Sequence, residues 1–101
     1  MSFPVVPTDP GVTRQVLAEN PDLMVVAFRF KAGAEGKLHD HPHVQSTYVE
    51  SGRFTFSVDG VERSIGPGDS LVIASNLRHG CVCQEAGTLI YTFTPRRDDF
   101  L

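Results

Sequence analysis

An all-β fold, a sandwich or barrel of short strands, is what this 101-residue sequence predicts. Turn signals recur at short intervals, at Pro10-Gly11, Ala32-Gly33, Ser51-Gly52, Asp59-Gly60, Gly66-Pro67-Gly68-Asp69, Ser75-Asn76 and Ala86-Gly87. Between them lie short runs rich in Val, Ile, Phe, Thr and Tyr, several of which alternate apolar with polar residues. No window of ten or more residues carries an apolar stripe at helical spacing.

In chain order, residues 1–10 read as an extended arm, with prolines at 4, 7 and 10. Strands are expected over "VTRQVLA" (12–18), "LMVVAFRF" (23–30), "QSTYVES" (45–51) and "RFTFSV" (53–58). Four more follow: "VERSI" (61–65), "SLVIA" (70–74), "GCVCQ" (80–84) and "TLIYTF" (88–93). In "RFTFSV" the apolar Phe54, Phe56 and Val58 share one face, and Arg53, Thr55 and Ser57 share the other. Asp59-Gly60 then predicts a two-residue hairpin turn, which needs positive φ at both positions. With no repeat, linker or low-complexity segment, residues 1–101 form one domain.

Composition narrows the function classes. Hydrophobic residues make up 41% and charged residues 21%, an ordinary globular balance. A formal charge of −3 leaves no basic footprint for nucleic acid or an anionic membrane. Met1 is followed by "SFPVVPTDPG", which has neither a basic nor an apolar leader region, and runs such as "LMVVAF" are too short to span a bilayer. A cytoplasmic protein is expected. Cys81 and Cys83, one residue apart on a strand, share a face but lie too far apart for an unstrained disulfide. They read as reduced thiols replacing small apolar residues in the core; a soft metal ligand or redox pair is the alternative.

Three of the four histidines fall in "HDHPHVQ" at 39–45. On a strand, His39 and His41 project to one face about 7 Å apart, close enough for both rings to reach a single ion. Gln45 has the same parity but would lie about 13 Å beyond His41 on a straight chain. Pro42 lacks a ladder donor and favours a bend in that gap. Such a bend brings Gln45 back and points His43 outward at its apex. His79, after the breaker "GPGD", the strand "SLVIA" and a second turn, lies on a strand that a barrel could set beside the first. The competing reading is a solvated histidine-rich loop with an unrelated fourth histidine.

Gly36, "HDHPHVQSTYVESG" (39–52) and "GPGDSLVIASNLRHG" (66–80) resemble the two motifs of the cupin superfamily. The resemblance implies a double-stranded β-helix, or jelly-roll barrel, and the ligand set His39, His41, Gln45 and His79 for one divalent transition metal (Ni, Zn, Fe, Mn or Cu). More narrowly, "GVTRQVLAENPDLMVV", "HPHVQSTYVESGRFTF" and "YTFTPRRDDFL" are similar to the KdgF-type cupins of pectin and alginate degradation. That likeness implies opening of the ring of a 4,5-unsaturated monouronate. It matches Phe93 and Arg97 to functional positions, and it places Tyr91 where the group's signature carries an acid.

Three neutral imidazoles and a neutral amide would leave an ion its full charge, a strong Lewis acid that attracts an anionic sugar acid. Arg97 could clamp the carboxylate. Tyr91 shares parity with Phe93 and reads either as a packing residue or as a proton donor. Three functions follow: a metal-dependent ring-opening or isomerising enzyme, a non-enzymatic cupin binding metal and a small anion, and a cupin dioxygenase. A homodimer is expected, the proline-spaced arm covering a neighbour's sheet edge.

Overall fold

In the computed structural model, which describes residues 3–101, the chain forms ten strands and one short 3-10 turn. The strands are β1 (Val5–Pro7), β2 (Val12–Asn20), β3 (Leu23–Phe30), β4 (Glu35–His39), β5 (Val44–Val49), β6 (Arg53–Val58), β7 (Val61–Ile65), β8 (Ser70–Ile73), β9 (His79–Glu85) and β10 (Gly87–Thr94). The turn, η1, covers Asp98–Phe100. All eight expected strands are present. The Asp59-Gly60 hairpin has positive φ at both residues, 49° and 79°.

β1-β2-β3-β10-β5-β8 form one antiparallel sheet and β4-β9-β6-β7 the other. After β3 the chain crosses repeatedly from sheet to sheet, β4 joining the small one, β5 the large, β6 and β7 the small, β8 the large, β9 the small and β10 the large. This is the jelly-roll barrel that the motifs imply. Inward residues of both sheets meet in one core: Phe54 and Phe56 of β6 and Cys81 and Cys83 of β9 face Val26 and Phe30 of β3 and Leu89 of β10. Phe54 is fully buried, its ring edge-on to Phe30 at 5.2 Å.

Two expectations need correction. The strand carrying His39 ends there, and His41 lies beyond it, because the bend begins at Pro42. The arm does not stand away from the barrel. Its β1 pairs with β2 of the same chain (Val5 opposite Gln15, Pro7 opposite Thr13), at an edge where a missing proline N–H costs no ladder bond. Among the described residues no helix is long and apolar enough to cross a membrane.

Val12 and Val16 are buried, and Arg14 shares their parity.

Phe54→Ala should lower the free energy of unfolding in urea by about 3–5 kcal/mol, the cost of a large cavity between the sheets.

Candidate metal centre

β4 and β9 are paired so that His39 stands opposite His79, their ring centroids 4.5 Å apart. His41 turns back toward them and lies 4.9 Å from His79, ring to ring. The ligand nitrogens of the three all fall within 4.8 Å of one another. A small inward adjustment brings all three to the metal–nitrogen distance of about 2.0–2.1 Å.

The local chain explains the convergence. After the bend at Pro42 and His43, two bonds fasten this loop to the turn before β9. The Asn76 N–H donates to the His41 carbonyl at 2.8 Å, and the Ser75 hydroxyl donates to the Pro42 carbonyl at 2.6 Å. Asn76 is left-handed (φ 65°), a conformation asparagine tolerates, and the turn it completes delivers His79. Behind the site Gly36 passes close to Cys81. A Cβ there would lie 3.1 Å from the buried sulfur, so this strand position favours glycine.

Each imidazole is oriented through Nδ1, which donates to a backbone carbonyl: His39 to Lys37 at 2.7 Å, His41 to His43 at 3.0 Å and His79 to Leu77 at 2.9 Å. A carbonyl only accepts, so the neutral rings carry their proton on Nδ1 and present the Nε2 lone pair. His79 Nε2 is buried with no hydrogen-bond partner. Burial lowers the pKa of His79 to about 4 and that of His41 below its ordinary value, so both rings are neutral at pH 7.

Gln45 is fully buried, and its Nε2 donates to the Thr47 hydroxyl at 2.9 Å. Its Oε1 lies 3.0 Å from His41 Nε2. With the His41 proton on Nδ1, two acceptors face each other. A second proton would resolve the conflict only by charging a desolvated ring; a shared cation resolves it without that cost. Three imidazole lone pairs and an amide oxygen therefore form a donor set that fits a divalent transition metal. His43 stands aside, its ring 5.5 Å from His41 and 6.4 Å from Phe93.

A cleft of about 220 Å³ opens beside the cluster, lined by His39, Gln45, Tyr91, Phe93 and Arg97 among others. Phe93 is cross-strand partner to Gln45 and packs edge-on to His41 at 5.6 Å. Arg97 donates from Nε and Nη2 to the Asp99 carboxylate at 3.0 and 2.9 Å, holding that carboxyl below its usual range. Tyr91 is buried beside Cys81. Burial pushes the phenol well above its usual range and the Cys81 thiol up to about 12, so both stay protonated. Neither cysteine joins the three-histidine group, and Cys83 Sγ donates to the Glu85 carbonyl.

The Cupin domain model matches residues 26–94. The chain belongs to the cupin family. This cupin is 40% identical over 93 residues to the pectin degradation protein KdgF of Dickeya dadantii (strain 3937), covering 90% of this chain and 84% of that one. An RmlC-like cupin from Shewanella frigidimarina superposes with a TM-score of 0.94 at 41% identity, over 98% of this chain and 89% of that one. KdgF from Halomonas sp. superposes at 0.93 with 37% identity, over 100% and 98% of the two chains.

Sequence reasoning missed Thr47, Arg14, Phe28 and Phe100. The parity of Thr47 with Gln45, and an arginine between two inward valines, were the available signals.

His43→Ala should retain about one metal per chain by elemental analysis, whereas His41→Ala should lose it. Metal-stripped protein should show its full His79 contribution above pH 6.5. Because the folded ring resists protonation and the unfolded ring does not, that stability falls away as pH drops toward 4. Urea titrations across this range should show a loss on the order of 3 kcal/mol that is absent from His79→Asn.

Proposed function

We propose that this cupin binds one divalent transition metal through His39, His41, Gln45 and His79 and acts on a small sugar acid, opening or isomerising the ring of an unsaturated uronate. The observation that carries this reading is the 40% identity to a pectin degradation protein over 90% of the chain, in a barrel with three imidazole nitrogens turned to one point.

A bound ion would supply Lewis-acid polarisation of a sugar oxygen, little diluted because all four donors are neutral. The side chains do the rest. Arg97, anchored by Asp99, keeps its second guanidinium edge available for a carboxylate. Phe93 walls the site beside His41 and excludes water from that flank. Tyr91, protonated at neutral pH, can give a proton but is unsuited to take one. Asp9, at the rim, is the one carboxylate among the described residues lining the cleft.

One observation favours a second reading, a cupin that binds the metal and a small anion without turnover. The residue where the KdgF-type signature has an acid is a buried phenol.

Metal-loaded protein should consume an unsaturated galacturonate or mannuronate, followed as loss of the conjugated-alkene absorbance. Chelation should stop the reaction and added metal should restore it. Tyr91→Asp, at full metal occupancy, should raise turnover about tenfold, equivalent to about 1.4 kcal/mol of transition-state stabilisation. A slower aspartate variant would make Tyr91 the working proton donor. Binding without turnover in both proteins would establish the second reading. The outer edge of β1 is the surface open to the expected homodimer, which light scattering giving about 11 kDa would exclude.

A further inference from the structure

Arg14 occupies a core-facing position of β2, between the buried Val12 and Val16. An arginine there is expensive unless its charge is matched. Its guanidinium carbon sits 4.1 Å from the centre of the Phe100 ring, and that of Arg97 sits 4.3 Å from the same ring. Phe100 reaches this place because η1 turns the chain back over the cleft, its N–H donating to the Arg97 carbonyl at 3.0 Å.

The two arginines differ in their hydrogen bonds. Arg97 has one edge filled by Asp99. Arg14 has no acceptor among the described residues, though it lines the same cleft as His39, Gln45 and Arg97. Two guanidinium charges thus share one aspartate, and Lys37 and Asp9 at the rim roughly offset each other. One positive charge remains uncompensated in a partly desolvated space. Burial and the charge of Arg97 both lower the Arg14 pKa from its usual value, while Asp99 opposes them.

We infer that Arg14 is the specificity-determining anion receptor of the cleft, receiving the carboxylate of the ligand on its free guanidinium fork while Arg97, tied to Asp99 and packed on the same Phe100 ring, adds its charge nearby. The inference rests on the sugar-acid reading above for the class of ligand, and it assigns the recognition of charge to a residue on β2. A planar fork with all its N–H donors unspent suits a carboxylate, and an anion there removes the strain of two like charges around one ring.

Calorimetric titration of metal-loaded protein with galacturonate, gluconate and galactose tests it. Wild type should bind the carboxylates and discriminate against neutral galactose. Arg14→Gln should weaken carboxylate binding at least tenfold and erase that discrimination, with metal content and melting temperature kept near wild type. Arg14→Lys, which retains charge without the fork, should fall between. If gluconate binds in an Arg14-dependent way and galacturonate does not, the uronate reading fails and the receptor assignment stands. If Arg14→Gln and wild type bind every carboxylate alike, or neither binds any, the assignment is overturned. A loss equal for galactose and galacturonate would make Arg14 a mere prop for Phe100 and overturn it too.

Discussion

Each of the three converging imidazoles is held by a hydrogen bond from Nδ1 to a carbonyl two residues away on its own chain. Those carbonyls stay within reach of the rings only while the backbone keeps its local path through β4, the bend at Pro42 and the turn before β9. The path in turn depends on the two bonds that tie the loops together, Asn76 to His41 and Ser75 to Pro42. The tautomer, the ring orientation and the aim of the lone pair are all set by backbone geometry. Such outer hydrogen bonds also raise the basicity of the exposed nitrogen. Gln45 beside them has its own brace, the Thr47 hydroxyl on the same face of β5.

Around this centre the cleft divides by chemistry. Its deep side is aromatic and neutral, with Tyr91 and Phe93 on alternate inward positions of β10 and Phe28 packed at a tilt 4.6 Å from Tyr91. Its outer side is cationic, formed by Arg14 and Arg97 around Phe100. An amphipathic ligand with one charged end and one oxygen-rich ring matches that division.

Much of this was legible in the sequence. The strands with strong β composition and clear turns were placed to within a residue or two, and the bend that returns Gln45 toward His41 followed from proline chemistry. β4 was harder to read, because "EGKLH" is mostly exposed and shows no apolar alternation. β1 was hidden by its prolines, which suggest a free arm although an edge strand accepts them. The outer cleft was beyond sequence alone. Arg14 and Phe100 lie far apart along the chain and meet through η1, whose course no local pattern specifies.

The place of β10 bears on how the molecule comes to exist. It lies inside the large sheet, matched to β3 over seven residue pairs and to β5 over six. Until residue 94 has left the ribosome, β3 and β5 stand as two open edges with a slot between them. A nascent chain in that condition exposes unpaired ladder groups to any neighbour, the situation in which strands exchange or aggregate. Insertion of the last strand then joins the two halves of the sheet in one late, non-local step. The arginine and phenylalanine that follow β10 arrive after it, so the cleft is finished only once the barrel has closed.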